Sequence, residues 1–168
     1  MIRSFDGKTP RIAESAFISE ASYVVGDVEI GEDSNVWPGA VIRGDFAPIR
    51  IGKCVAIEDN CTVHTGHDLE IGDWVTIGHN AVVHCRRVGT GTVIGMNACI
   101  LENAEIGDFC IVGAGSVVTE GMIVPDKSVV IGAPAKIKGT VGDQLAMWQE
   151  WDPDTYPRLA RKYKEEGL

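Results

Sequence analysis

The sequence is poor in aromatic residues and has no closely spaced cysteine pair. Aromatic residues make up only 7% of the 168 residues, whereas 45% are hydrophobic and 20 are glycine. This combination argues against disorder and against a helix bundle, and it predicts an isoleucine and valine core with many tight corners. The five cysteines include no Cys-x-x-Cys pair, so we expect free thiols in a reducing, cytoplasmic compartment.

Long apolar runs and basic clusters are also missing. No apolar run approaches the ~18–20 residues of a membrane-spanning helix, and residues 1–6 lack the apolar region of a signal peptide. Acidic residues outnumber basic residues by 24 to 15, which gives a net charge of −9. Nucleic acids and anionic membranes are bound by clustered lysine and arginine, so we expect neither as a partner.

Isoleucine or valine recurs at intervals of six residues over most of the chain. Glycine often follows this anchor residue, and a small side chain often lies four residues after it. Six matches neither the helical period of 3.6 nor the strand period of two, but it fits a short strand followed by a corner. The anchors are Ile18, Val24, Ile30, Val36, Ile42, Ile51, Ile57, Val63, Ile71, Ile77, Val83, Val88, Ile94, Ile100, Ile106, Val112, Val118, Val124 and Val130.

Three such units make one triangular coil, and coils stack as parallel strands about 4.8 Å apart. The sequence therefore predicts an all-β solenoid, a parallel β-helix within residues 1–139 whose repeats span about 12–136. An ordinary β-sandwich is the alternative, and the regularity of the anchors makes it remote. The interval becomes nine after Ile42, eight after Val63 and five after Val83. Insertions in a solenoid become loops on one face, which is often the working face.

Residues 140–168 change character and predict a helical segment that lies along the solenoid. Leu145 and Trp148 have helical spacing. Asp154 or Thr155 is expected to cap a second helix, with Pro157 in its first turn. One face of that helix is formed by Tyr156, Leu159, Ala160 and Tyr163.

The register assigns the histidines to corners of the coil. Counting units places Arg43, His64 and His84 on one corner, one strand spacing apart. His79 lies one side earlier, one coil above Glu58 and Asp59. These ligands are too far apart in one subunit to share a metal, but a threefold oligomer would join them across interfaces. Three histidines with an open fourth position are typical of catalytic zinc. Alternatively, these are ordinary polar residues on solenoid corners.

The histidine pattern resembles the γ-class carbonic anhydrase family. The similarity rests on His64, His79 and His84 together with the segments 35–40, 41–45 and 77–80, and it spans about residues 10–165. The resemblance implies a homotrimer of left-handed β-helices that hydrates CO₂ reversibly to bicarbonate by a metal-bound hydroxide. It implies Zn²⁺ at three-histidine sites between subunits, with Fe²⁺ or Co²⁺ as other possible metals. It further implies that Arg43 pairs with Asp59 of a neighbour, that Asp45 orients the metal-bound water, and that Tyr156 lies near the site.

Several residues depart from the family pattern. Glu58 stands where glutamine is usual, and its carboxylate either opposes an anionic product or acts as a base. Phe46 stands where one branch has an acidic residue for proton transfer, and Ala56 replaces an asparagine that contacts bicarbonate in that branch.

Two further residues, His67 and Cys85, each allow a functional and a purely structural interpretation. His67 lies in the insertion after Val63 and is a candidate replacement proton carrier, or simply an exposed loop histidine. Cys85 either makes activity redox-sensitive or is a structural thiol.

Two other functions remain open. Residues 131–136 resemble the closing coil of hexapeptide acyltransferases, so an acyltransferase or a thioesterase is one alternative, although the segment also reads as simple termination of the solenoid. A non-catalytic metal-binding or assembly protein of the carbonic anhydrase family is the other, because fold alone does not set function.

Overall fold

A computed structural model describes residues 1–142 and 154–168. Within them the chain winds into a left-handed parallel β-helix of about seven turns with three faces, as the repeat and the resemblance predict. The strands are β1 (Ile2–Arg3), β2 (Arg11–Ile12), β3 (Phe17–Ile18), β4 (Tyr23–Ile30), β5 (Asn35–Val36), β6 (Val41–Ile51), β7 (Ala56–Ile57), β8 (Thr62–His64), β9 (Leu69–Ile71), β10 (Thr76–Ile77), β11 (Val82–Val83), β12 (Arg87–Val88), β13 (Val93–Ile94), β14 (Cys99–Ile100), β15 (Glu105–Ile106), β16 (Ile111–Val112), β17 (Val117–Val118), β18 (Ile123–Val124), β19 (Ser128–Gly132) and β20 (Ala135–Thr140). Helix α1 (Thr155–Glu166) follows within the second described range.

Each face is a stack of parallel strands in register. The first face contains β1, the first part of β4, the first part of β6, β8, β11, β14 and β17. The second face contains β2, the last part of β4, the last part of β6, β9, β12, β15 and β18. The third face contains β3, β5, β7, β10, β13, β16 and β19, and β20 folds back antiparallel on β19. Because equivalent anchors pair across the stack, side chains one coil apart lie directly above one another.

The anchor residues form the core. All of the anchors are buried except Ile18, which is partly exposed near the end of the stack. Full burial of each isoleucine or valine stabilises the fold by roughly 1.5–3 kcal/mol. The small residues four positions later are buried as well, in keeping with the close packing of protein interiors, which leaves little room for extra side-chain volume.

Strand pairing starts ahead of the predicted repeats, because β1 pairs with β4, and it lies within the predicted residues 1–139. The solenoid differs from the sequence-based expectation at the first insertion, which is not a separate loop: β6 runs through it with a register shift against β4. Gly26 has φ +83°, and a Cβ atom there would collide with the carbonyl oxygen of Gly44. The absence of a side chain at Gly26 therefore lets the two strands pass the corner in close contact.

The outward side chains give the three faces different surfaces. On the second face the charges alternate along the stack, which favours cross-strand attraction and a hydrated surface. This series is Arg11, Glu29, Arg50, Glu70, Arg87 and Glu105. The corresponding series on the first face is uncharged: Tyr23, Val41, Thr62, Val82, Cys99 and Val117.

Helix α1 covers one end of the third face and matches the predicted second helix. It packs on β3 and β5 through an aromatic cluster in which the Trp37 ring lies 5.1 Å from Tyr163 and 5.3 Å from Phe17, between centroids. Asp154, one of the two predicted capping residues, occupies the N-cap position, but its side chain makes no capping hydrogen bond. The helix predicted at Leu145 and Trp148 lies outside the described residues. Among the described helices, none is long and apolar enough to cross a membrane.

Candidate metal centre

The corner between the first and second faces stacks three polar side chains, as unit counting predicts. Arg43 pairs with His64 in the strand register, and His84 follows β11, which pairs directly with β8. The rings of His64 and His84 lie 5.2 Å apart between centroids, at an interplanar angle of 47°. Two imidazoles are therefore presented side by side from neighbouring coils.

Asp45 ties this stack together. Arg43 donates from Nη1 to Asp45 Oδ2, and the other carboxylate oxygen lies 3.1 Å from His64 Nε2. Burial opposes ionisation of Asp45, but the hydrogen bond and charge of Arg43 outweigh it and hold the pKa of Asp45 below its ordinary value. Burial, together with the charge of Arg43, lowers the pKa of His64. A neutral imidazole has the free lone pair that metal binding requires.

The contact between Phe46 and His64 is one that sequence reasoning missed. The sequence marks Phe46 only as the loss of an acidic residue, whereas its ring lies 5.5 Å from that of His64, centroid to centroid. The side chain is 76% exposed in the single chain. Phe46 therefore provides apolar surface beside the two stacked histidines.

His79 lies on the corner between the third and first faces, one coil from Glu58 and Asp59. Its Nδ1 is 3.0 Å from Asp59 Oδ2, and its Nε2 is 3.1 Å from Glu58 Oε2. The backbone N–H of His79 also donates to Glu58 Oε2 at 2.9 Å. Two carboxylates of the same chain therefore contact this ring. Counting repeat units predicts that His79 lies near Glu58 and Asp59, but it does not predict these contacts.

Tyr156 reaches the same corner from helix α1. Its hydroxyl donates to Glu58 Oε1. Burial, followed by this hydrogen bond, raises the pKa of Tyr156, so the hydroxyl stays a proton donor. The Tyr156 ring packs on Trp37 at 5.8 Å between centroids. The resemblance implies that Tyr156 lies near the site, but its partner Glu58 is evident only in the folded chain.

The second insertion forms a turn organised by Thr65, which sequence reasoning did not single out. Its buried hydroxyl accepts the backbone N–H of His67 at 3.1 Å. The His67 side chain is exposed, and its Nδ1 lies 3.6 Å from Glu102 Oε1. The sequence did contain a signal for Thr65, because it is a polar residue directly after the candidate ligand His64.

Cys85 follows His84 and turns inward. It is 1% exposed, and burial raises the pKa of its thiol to about 12. An inaccessible, protonated thiol reacts slowly with oxidants, so these features favour the structural interpretation of Cys85.

The first face separates the two sets of histidines. His64 and His84 lie along one of its edges, and His79 lies along the other. Accordingly, no group of three or more His, Cys, Asp or Glu side chains that could hold a metal occurs within residues 1–142 and 154–168 of one chain. Arg43 pairs with Asp45 inside the chain, and its pairing with Asp59 of a neighbour stays a prediction. The metal-ligand assignments likewise stay predictions.

Known proteins resemble this chain in both sequence and fold. The bacterial transferase hexapeptide (six repeats) model matches residues 9–44 and 87–120. A carbonic anhydrase from Geobacillus kaustophilus is 40% identical, over 99% of this chain and 89% of that protein. Gamma carbonic anhydrase 1, mitochondrial, from Arabidopsis thaliana is 33% identical, over 99% of this chain and 63% of that protein.

A solved structure is similarly close, although its description differs. A putative acetyltransferase from Bacillus cereus superposes with a TM-score of 0.93 at 36% identity, covering 98% of this chain and 96% of that one. Hexapeptide solenoids serve more than one chemistry, so the description of that structure does not decide the reaction. The 40% identity to the Geobacillus protein extends over nearly the full length of both chains and does assign the family. The chain belongs to the γ-class carbonic anhydrase family of hexapeptide-repeat proteins.

Proposed function

We propose that this protein is a metal-dependent carbonic anhydrase that hydrates CO₂ reversibly at the subunit interfaces of a homotrimer. The observation that carries the proposal is the placement of the histidines on the first face. His64 and His84 line one edge of this uncharged face, and His79 lines the opposite edge.

The surfaces of the three faces support the trimer. Charged side chains keep the second face in water, and α1 occupies part of the third. If three first faces turn towards a common axis, the His79 edge of each subunit meets the His64 and His84 edge of the next. Arg43 and Asp59 lie on those same two edges, so this arrangement also brings opposite charges together across each interface.

The residues present fit a divalent metal of the zinc type. His64 and His84 of one subunit, with His79 of its neighbour, supply three imidazoles, a ligand set found in catalytic zinc sites. Fe²⁺ and Co²⁺ also accept imidazole ligands. Asp45 Oδ1 lies 3.1 Å from His64 Nε2, and at His79 Asp59 faces Nδ1 at 3.0 Å while Glu58 faces Nε2 at 3.1 Å. A bound metal would take one ring nitrogen of His79, so one of these two contacts would give way and the other carboxylate would hold the ring. When bound, Zn²⁺ lowers the pKa of a coordinated water from 15.7 to about 7 and so makes a nucleophile available at neutral pH.

Other residues have roles that follow from their positions. Asp45, held ionised by Arg43, is an acceptor beside His64 and orients water there. Phe46 offers CO₂, an apolar molecule, an apolar approach to the histidines. His67, exposed in the turn after His64, exchanges protons between the site and bulk buffer, a role that positioned imidazoles perform in general acid–base catalysis. Glu58 holds the His79 backbone and the Tyr156 hydroxyl.

The compartment we propose is the cytoplasm. All five cysteines are free. Free thiols persist in reducing compartments, whereas exported proteins usually pair them.

The test is stopped-flow CO₂ hydration by protein purified without oxygen and loaded separately with Zn²⁺, Co²⁺ or Fe²⁺. Metal content per chain and mass in solution are measured on the same samples. The test variant is His84→Ala, which removes one proposed ligand. The control variant is Ile123→Ala, because Ile123 is 60% exposed on the second face, away from the histidines. We expect a metal-loaded trimer whose activity is lost in His84→Ala and retained in Ile123→Ala.

The alternatives give different results. One metal per chain without CO₂ hydration favours a non-catalytic metal-binding or assembly protein. Acetyl-CoA binding or thioester cleavage without metal favours the acyltransferase or thioesterase class; the Bacillus cereus structure is described as a putative acetyltransferase. Either result contradicts the proposed function.

A further inference from the structure

Glu58 is a buried carboxylate at an unusual position of the repeat. The two following coils of the third face have glycine after the anchor, at Gly78 and Gly95, whereas Glu58 follows Ile57. Its side chain is only 4% exposed. A buried carboxylate is costly unless hydrogen bonds compensate its charge, so the partners of Glu58 indicate what keeps it there.

Those partners come from two parts of the chain that are far apart in sequence. Oε2 accepts the backbone N–H of His79 at 2.9 Å and lies 3.1 Å from His79 Nε2. Oε1 accepts the hydroxyl of Tyr156, 98 residues away in the sequence. Each carboxylate oxygen thus holds a different element, the His79 corner on one side and helix α1 on the other.

Further contacts that dock α1 lie on the first turns of the solenoid. Tyr163 packs its ring on Phe17 and Trp37, Arg161 lies 3.5 Å from Asp33, and Lys164 donates hydrogen bonds to the carbonyl oxygens of Glu14 and Ala16. Glu58, in contrast, contacts both the helix and His79, and so links the position of the helix to His79.

We propose that Glu58 is a positioning residue that couples docking of the C-terminal helix to metal binding at His79. This inference rests on the proposed function, because it takes His79 to be a ligand. Coupling of this kind is reciprocal. Metal bound at His79 stabilises the docked helix, and the docked helix strengthens metal binding. The glutamate thereby makes the tail part of the metal site, although the tail supplies no ligand.

The test uses the full chain and two tyrosine variants of the same helix. Tyr156→Phe removes the hydroxyl that binds Glu58. Tyr163→Phe removes a hydroxyl from the same aromatic cluster and leaves the Glu58 contact in place. Co²⁺ affinity and the visible absorption spectrum of bound Co²⁺ report the metal site. Amide hydrogen exchange of α1, measured with and without Co²⁺, reports helix docking.

We expect Tyr156→Phe to weaken Co²⁺ binding about tenfold, the lower end of what loss of a residue supporting a ligand costs. We also expect a changed Co²⁺ spectrum and loss of the Co²⁺-dependent protection of α1. Tyr163→Phe should retain the affinity, the spectrum and the protection. Glu58→Gln, whose amide oxygen still accepts the His79 N–H, should bind Co²⁺ more tightly than Glu58→Ala.

The possible failures are distinguishable. Wild-type affinity, spectrum and α1 protection in Tyr156→Phe would overturn the coupling and leave the proposed metal site intact. Equal losses in Tyr156→Phe and Tyr163→Phe would also overturn it, because the effect would then be general loosening of the helix. A wild-type trimer that binds no Co²⁺ would overturn both the proposed function and this inference.

Discussion

The imidazole rings of His64 and His84 lie 5.2 Å apart because one coil of the β-helix separates them. His79 is close in sequence to His84 but lies on the opposite edge of the first face. The proposed metal site is therefore divided between subunits, and this division can be tested by complementation.

Mixed trimers should recover metal sites that neither parent variant has. His84→Ala and His79→Ala should each bind Zn²⁺ poorly alone, since each lacks one ligand at every interface. After the two are unfolded and refolded together, about a quarter of the interfaces should combine an intact pair with an intact His79, assuming random assembly. Zinc content per trimer measures the recovery. Separately refolded samples, combined afterwards, are the control, and no recovery on co-refolding would exclude ligands shared between subunits.

His67 should affect proton transfer rather than metal binding. Its ring is exposed and lies near Glu102, in the turn after His64. We expect His67→Ala to lower CO₂ hydration severalfold at low buffer concentration, because a positioned imidazole contributes to proton transfer. Added imidazole buffer should restore the rate, and zinc content should stay the same. Unchanged turnover at low buffer would mean that His67 is an ordinary loop residue.

The anchor positions should dominate stability. Ile100 is fully buried, whereas Ile123 projects outward and is 60% exposed. We expect Ile100→Ala to lower the free energy of unfolding by about 2–5 kcal/mol, because it removes buried surface and leaves a cavity. Ile123→Ala should change it by no more than about 0.5 kcal/mol. Denaturant unfolding at one fixed protein concentration compares them, and similar losses would contradict the assigned register.

Asp27 should stabilise the protein in a pH-dependent way. Hydrogen bonds from Arg50 and Lys8 hold the pKa of Asp27 below its ordinary 3.8. A lowered folded-state pKa adds stability above pH 3.8, which is lost as the pH falls through the folded value. Asp27→Asn should therefore cost about 1 kcal/mol at neutral pH, given that Lys8 is largely solvent-exposed.

Urea unfolding of the wild type and of Asp27→Asn, from neutral pH to below pH 3.8, measures the difference in the free energy of unfolding. The difference between them should shrink as the pH falls below 3.8. A constant difference would show that the asparagine acts through packing rather than through charge.

The thiols of Cys85 and Cys61 should be unreactive in the native protein. Both are buried, and burial raises the pKa of each to about 12. Neither should be labelled by iodoacetamide until the protein is unfolded, and Cys85→Ala should leave the sensitivity of activity to peroxide unchanged. Mass spectrometry of labelled peptides measures this. Rapid labelling of Cys85 in the folded protein would instead support the hypothesis that Cys85 makes activity redox-sensitive.

Much of the fold is local and was therefore predictable. The six-residue period identifies the anchors, the coil and the corner of each candidate residue, because every unit repeats one strand and one turn. Arg43, His64 and His84 stack as counting predicts. The six-residue period cannot predict the backbone path at an insertion, because the repeat is interrupted there. The continuation of β6 through the first insertion depended on the contact between Gly26 and Gly44, which only the folded chain shows.

The sequence by itself determined the solenoid, its register and the separation of His79 from the other two histidines, since each follows from short-range repetition. Only the tertiary structure decided how the tail joins the site and how charge is distributed around it. Tyr156 meets Glu58 because α1 docks on Phe17 and Trp37, a contact that no repeat encodes. Long-range contacts depend on three-dimensional packing rather than on spacing along the chain, so the connection from α1 through Glu58 to His79 is evident only in the folded protein.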